Sequence, residues 1–265
     1  MRSSLRLWFL FDLPDRRPQL INDFSANHVI VLSPHMDDEA IGCGGAIARH
    51  VQSGGAVTAV YMTDGRKGGF GGDDNLVARR KEESRKSGAI LGISEYVFLD
   101  GPDLALTDSP DLVKRTAEIF RDKQPAIVYV PALTDRHPDH WGTNQILRAA
   151  LDLLPAAQVN QMLIRGYEVW SPVPANRLMD ITAQFDLKRQ AISQFKTQLS
   201  FDYVAAVAGL NQFRALTWQR AKGYAEAFLE TTPAEYRRMF SAMLVRERFA
   251  PPEPEPPTAV HAGSY

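Results

Sequence analysis

The sequence predicts an α/β protein built on a mostly parallel sheet with helices on both faces. Three observations carry that expectation. From residue 28 onward, β-branched apolar runs alternate with longer helical patterns, and this alternation is what parallel crossover units require. The run AIVYVPA (126–132) is continuously apolar, as suits a strand covered on both faces. Two of the apolar runs lead directly into stretches rich in His and Asp. In an open parallel sheet, reactive groups gather beyond the carboxyl ends of the strands.

The elements follow in order. HVIVLS (28–33) reads as the first strand, and a helix is expected from about Asp38 to Gln52, stopped by SGG. AVTAVYMT (56–63) is the second strand, and the glycine-rich DGRKGGFGGDD after it reads as a substrate-side loop. It lacks the spacing of a nucleotide-binding fingerprint. Residues 76–91 carry a helical pattern ending at LG, YVFLD (96–100) is the third strand, and Pro110 and Asp111 open a helix over 110–122. AIVYVPA is the fourth strand. Beyond it, QMLIRGYEVW (161–170) is a strand candidate, and 185–199 and 211–229 are helix candidates. Lys188, Arg189 and Lys196 are expected on a solvated helix face. The tail APPEPEPPTAVHAGSY is proline-rich without periodicity, which predicts disorder.

Composition narrows the functional classes. Thirty Lys and Arg against 31 Asp and Glu give a net charge of -1, which offers no electrostatic footprint for nucleic acid or an anionic membrane. No apolar run approaches the roughly 20 residues of a membrane span. At the N-terminus, MRSSLRLWFLFDLPDRR meets Asp12 too early for a secretory leader, and no small-residue cleavage site follows. A packed arm or a partner-facing strand is expected there instead. Cys43 is the sole cysteine, so intramolecular disulfides are ruled out and a reducing, cytoplasmic setting is expected. Its place in the small-residue run GCGG points to close packing rather than thiol chemistry.

The chemistry concentrates in VIVLSPHMDDEAIGCGG (29–45) and LTDRHPDHWGT (133–143). With a Rossmann-like strand order, the first and fourth strands are neighbours at a switch point, and both stretches face one crevice. His35, Asp38 and His140 then form a set of two imidazoles and one carboxylate, suited to zinc with a position left for water. Asp37 and His137 are spare groups for accepting a proton and for stabilising or protonating what leaves. Taken alone, Asp37 and Asp38 read as helix-capping acids; the flanking His35 and the second cluster favour metal binding. The residues by themselves leave open which of the two aspartates meets the ion. Glu39 is expected to orient its neighbours, and His28, His50 and His261 have no companions.

PHMDDEAIGCGG together with DRHPDH resembles the PIG-L/LmbE-like family of zinc-dependent N-acetylglucosaminyl deacetylases, whose fold is Rossmann-like. The resemblance runs over roughly residues 28 to 230 and takes in RRKEESRKSGAILGI, YEVWSPVPANRLMDIT and the stretch from Lys188 to Gln198. It implies metal ligands at His35, Asp38 and His140, a general base at Asp37, and a transition-state imidazole at His137. It further implies that Asp139 polarises that imidazole and that Arg80 holds sugar hydroxyls. The family's proline between His and Asp-Asp is Met36 here.

The organisation that follows is an N-terminal arm (1–26), an LmbE-like deacetylase domain (27–248) and a proline-rich tail (249–265). The expected reaction removes an N-acetyl group from an N-acetylglucosamine-type glycoconjugate, a small-molecule substrate. The expected cofactor is Zn2+, with Fe2+ or another divalent ion suited to the same donors. A homo-oligomer is compatible with the resemblance. The alternatives are an amidase for a thiol conjugate or a non-sugar amide, and a silent carbohydrate- or metal-binding module. A pure binder has no use for Asp37 and His137.

Overall fold

A computed structural model describes residues 18–68, 75–198, 201–219 and 222–248. Most of the N-terminal arm, six residues of the glycine-rich loop and the whole proline-rich tail lie outside these. The elements run β1 (Gln19–Leu20), β2 (His28–Ser33), α1 (Asp38–Gln52), β3 (Ala56–Thr63), α2 (Leu76–Leu91), β4 (Glu95–Gly101), α3 (Pro110–Lys123), β5 (Ile127–Pro131), α4 (Pro138–Asp152) and α5 (Ala156–Val159). They continue with β6 (Leu163–Tyr167), β7 (Arg177–Asp180), α6 (Phe185–Ile192), a 3-10 turn (Lys196–Gln198), α7 (Tyr203–Gln219), β8 (Ala225–Thr231) and α8 (Pro233–Arg248).

Eight strands form one sheet in the order β1-β7-β8-β6-β5-β2-β3-β4. Pairing is parallel except at β8, which runs antiparallel to both β6 and β7. The period-2 geometry of a strand explains why both faces are filled. In β2, Val29 and Val31 join one core cluster, with side chains of α1 and α6, while Ile30 and Leu32 join another, with α3, α4 and α8. Burying each such side chain contributes roughly 1.5–3 kcal/mol. β2 pairs directly with β5 on one side and β3 on the other. The sheet's switch point therefore lies between β2 and β5, where the two His/Asp stretches depart.

α1 passes close to the sheet because it opens on small residues. A Cβ at Gly42 would fall 2.2 Å from the Tyr167 ring. The helix breaks at Cys43 (φ -142°, ψ 24°), and the amides of Gly45 and Ala46, freed by that kink, both donate to Glu226 on β8 at 2.8 Å. The Lys188 ammonium donates to the same carboxylate at 2.7 Å. Lys188 is fully buried, which corrects its expected place on a solvated face.

Three further expectations change. The helix expected over 211–229 is α7, set eight residues earlier, followed by β8. Ala225–Thr231 is rich in helix formers, yet lies between two strands and is mostly buried, so tertiary context overrides propensity. The break falls before Gly223, whose φ of 138° is left-handed. The helix expected over 185–199 ends at Ile192, and beyond it the amide and hydroxyl of Thr197 bond to Glu83 of α2. The strand candidate 161–170 is ordered as β6 only over Leu163–Tyr167.

Candidate active site

The carboxyl ends of β2, β4, β5 and β6 surround a cleft of about 180 Å³, lined in part by His35, Asp37, Asp38, Arg80, Asp103 and His137. The turn after β2 delivers the first group. Ser33 at the strand's end donates to Glu39 at 3.0 Å, and Glu39 also accepts from the Asp37 amide and the Tyr61 hydroxyl. Glu39 is thereby a brace for the turn, and burial, then the charge of Asp37, pushes its carboxyl up to about 8. Met36 is fully buried beneath this turn.

The turn after β5 delivers the second group. His137 caps α4: its Nδ1 accepts from the Asp139 amide at 3.2 Å. With Nδ1 occupied as an acceptor, the neutral ring carries its proton on Nε2. Burial, then the neighbouring His35 and His140, lowers the pKa of His137, which favours that neutral form.

Between the two turns, Asp38 Oδ2 lies 3.1 Å from His35 Nδ1 and 3.3 Å from His140 Nε2. Each imidazole turns its other nitrogen to a further carboxylate. His35 Nε2 is 3.0 Å from Asp139 and 3.4 Å from Asp103, and His140 Nδ1 is 3.1 Å from Asp135. Asp135 is itself fixed by the amides of His137 and Trp170. Asp139 accepts from the amides of Leu104 and Leu106 at 2.8 and 3.0 Å. Its carboxylate thus sits on His35; toward His137 it is the Asp139 amide, not the carboxylate, that makes contact.

This arrangement draws positive charge. Burial opposes protonation of His140, yet Asp38 and Asp135 outweigh it and raise its pKa to about 9. His35 is likewise raised, against burial, by Asp103, Asp139 and Asp38. Burial disfavours the Asp38 anion, but His140 and His35 hold its carboxyl well below the usual range. Asp37 differs: burial pushes it up to about 6, with Arg80 opposing. The Arg80 guanidinium is 3.6 Å from Asp37 and donates to the Gly65 carbonyl at 2.9 Å. Arg80 is buried while the adjacent Arg79 is exposed, so Arg80 is the arginine that faces the cleft.

The pair separations around Asp38 fit a divalent ion. Two ligands held near 2.1 Å from one ion at a tetrahedral angle lie about 3.4 Å apart, close to the separations around Asp38. Neither ring nitrogen of His140 has a well-directed hydrogen bond, although both are buried. The carboxylate behind each imidazole is the arrangement that orients metal-binding histidines. The groups of three donors whose atoms all lie within 4.8 Å of one another among the described residues are His35, His137 and His140, and His35, Asp103 and Asp139; Asp38 enters through its two pairwise approaches.

The model of the GlcNAc-PI de-N-acetylase (PIG-L) family matches residues 30–151. The uncharacterized deacetylase YaiS of Escherichia coli is 30% identical over 146 residues, covering 53% of this chain and 72% of that protein. The chain belongs to the PIG-L/LmbE-like deacetylase family. The diacetylchitobiose deacetylase of Thermococcus kodakarensis is 29% identical over 191 residues, 66% of this chain and 71% of that one. The solved N,N'-diacetylchitobiose deacetylase of Pyrococcus horikoshii superposes with a TM-score of 0.69 at 25% identity, over 89% of this chain and 96% of that one.

Within this PIG-L/LmbE-like frame, the structure gathers every residue singled out from the sequence: His35, Asp37, Asp38, Arg80, His137, Asp139 and His140. It adds Asp103 and Asp135, which sequence reasoning missed. Asp135 stands inside the quoted DRHPDH, and Asp103 follows the third predicted strand, where the strand-end rule points. Trp170, Gln198 and Tyr203 also line the cleft, and Trp170 is 57% exposed, so it is a rim residue rather than a core one. No helix among the described residues is long and apolar enough to cross a membrane.

Proposed function

We propose that the chain hydrolyses the N-acetyl group of an N-acetylglucosamine-type glycoconjugate with the help of a divalent ion, zinc or iron(II), held by His35, Asp38 and His140. The observation that carries this reading is the pairing of two unlike groups, Asp37 and His137, on the cleft beside that donor set. Such an ion, when bound, supplies Lewis acidity and a water of lowered pKa. Asp37, with a carboxyl near 6, is a base suited to taking the water's proton at neutral pH. His137, donating from Nε2, faces the position where negative charge develops on the acetyl oxygen.

Asp139 and Asp103 act through His35, and Asp135 acts through His140; these are positioning residues. Arg80 steadies the Asp37 carboxylate and offers a hydrogen-bond donor to sugar hydroxyls. The proton taken by Asp37 passes to the departing nitrogen as its bond to the acetyl carbon breaks, and acetate and a free amine leave. A catalytically silent binding module would need neither Asp37 nor a half-buried His137.

The test separates holding the ion from working on the substrate. Asp37→Asn retains bound zinc and loses turnover by about 10²–10⁴-fold, whereas His140→Ala loses the zinc. Zinc is measured by elemental analysis, and turnover by amine release from a panel of N-acetylated sugars. Equal loss of zinc in the two variants overturns the division of roles. A zinc-loaded wild-type chain that releases no amine from any sugar overturns the reaction.

A further inference from the structure

A second cleft, of about 210 Å³, opens beside the first and shares Ile41, Val169, Trp170 and Tyr203 with it. Its far side is α7, where Tyr203, Val207 and Leu210 recur at the helical spacing of one stripe. The lining is largely apolar. Glu168, the charged residue of the lining, is committed to Arg214, and both are bound to the backbone of Val173. Asn211 is the exception. It lines the cleft and is 3% exposed, and its Oδ1 has no hydrogen-bond partner. That oxygen has almost no accessible surface, so it lies behind the apolar lining and is not offered to an occupant. Neither cleft alone reaches the roughly 300 Å³ typical of small-molecule sites, whereas the two together do.

We infer that this groove receives the aglycone, and that the substrates are N-acetylglucosaminides of apolar, preferably aromatic, aglycones. The inference rests on the deacetylase reading above. A second sugar in the groove would bring several hydroxyls to a largely apolar surface, and each unpaired hydroxyl would lose its hydration without return. An aromatic aglycone meets the groove's chemistry: Trp170 and Tyr203 pack edge to face at 6.2 Å at its mouth, where aromatic surfaces favour a further ring.

The experiment compares kcat/KM of the zinc-loaded chain for 4-hydroxyphenyl and octyl N-acetylglucosaminides with those for free N-acetylglucosamine and N,N'-diacetylchitobiose. The aglycone-bearing substrates are expected to be at least tenfold better. Val207→Trp, which fills the groove, brings the ratio of aryl glycoside to free sugar to about one. Calorimetric binding of the same glycosides to the Asp37→Asn chain reads the groove without turnover, and the same ranking is expected there.

Free sugar and chitobiose processed as well as the aryl glycosides overturn the inference and leave the deacetylase reading intact. Loss of all turnover with the binding order preserved overturns the deacetylase reading and supports the groove. If Val207→Trp alters the sedimentation of the protein and leaves the substrate ratio unmoved, the groove is a contact between copies, and the inference falls.

Discussion

Two buried clusters of charge flank α1, and they are finished differently. At its kink, Glu226 accepts from two backbone amides and from Lys188, so neither oxygen lacks a donor. At its N-terminal end, Asp38 is shared by two imidazoles that are each backed by another carboxylate, while the buried nitrogens of His140 make no well-directed hydrogen bond. Both clusters pay for desolvation. The first is closed and holds the backbone of a broken helix; the second is crowded and incompletely satisfied, the condition in which buried polar groups are arranged around something other than themselves.

The comparison breaks most readily at Lys188. Lys188→Met leaves Glu226 buried with its two amides and no counter-charge, a loss expected to cost about 3–5 kcal/mol. Chemical unfolding measures it. Zinc bound per folded chain is expected to stay unchanged, because the closed cluster serves the helix and not the ion. A drop of zinc content in step with stability would merge the two clusters into one. The double variant Lys188→Met/Glu226→Gln is expected to recover part of the loss, since an amide oxygen still receives a backbone N–H without needing a charge beside it.

A smaller effect, about 2 kcal/mol, is expected from His50, also fully buried on α1. Arg165 donates to the Tyr129 hydroxyl at 2.8 Å, leaving that hydroxyl to donate to His50 Nε2 at 3.0 Å. Burial, then the charges of Arg165 and Arg49, lowers its pKa to about 4. A depressed histidine binds fewer protons folded than unfolded between pH 6.5 and 4. Stability in that window therefore rises with pH and is lost as pH falls, by about 2 kcal/mol from pH 7 to 5. His50→Gln is expected to flatten that slope in urea titrations at the two pH values. An unchanged slope would place the acid sensitivity elsewhere.

The two clusters also differ in how far the sequence discloses them. The ends of β2 and β5 are legible because their chemistry is local: PHMDDE and DRHPDH each bring several donors within six residues, and parallel-sheet topology makes the two stretches neighbours. The strands 28–33, 56–63 and 126–132 are legible for a similar reason, being continuous β-branched runs covered on both faces. Glu226 and Lys188 are not. They are 38 residues apart, and each sits in a segment whose local composition favours a solvated helix. AEAFLET becomes a strand only because β6 and β7 flank it. Asp139 shows the same limit at finer scale: its position in DRHPDH suggests His137 as partner, yet the loop after β4 and the imidazole of His35 surround its carboxylate. The motif discloses which groups assemble, while long-range packing decides whom each one touches.

Asp135 gives the smallest expected effect and the finest division within the open cluster. It holds His140 through Nδ1 while Asp38 meets Nε2. Carboxylates behind a metal-binding imidazole are worth about 10–100-fold in ion affinity. The low end is expected for Asp135→Asn, about tenfold or 1.4 kcal/mol, because an amide oxygen still receives the backbone N–H of His137 or Trp170 and keeps the turn in place. Competition with a zinc-binding dye measures the affinity. An unaltered dissociation constant would mean that Asp135 serves the turn after β5 alone, as Glu226 serves the kink in α1. A tenfold loss with unchanged thermal stability would assign it to the ion. The contrast between a closed cluster and an open one would then hold for a single carboxylate.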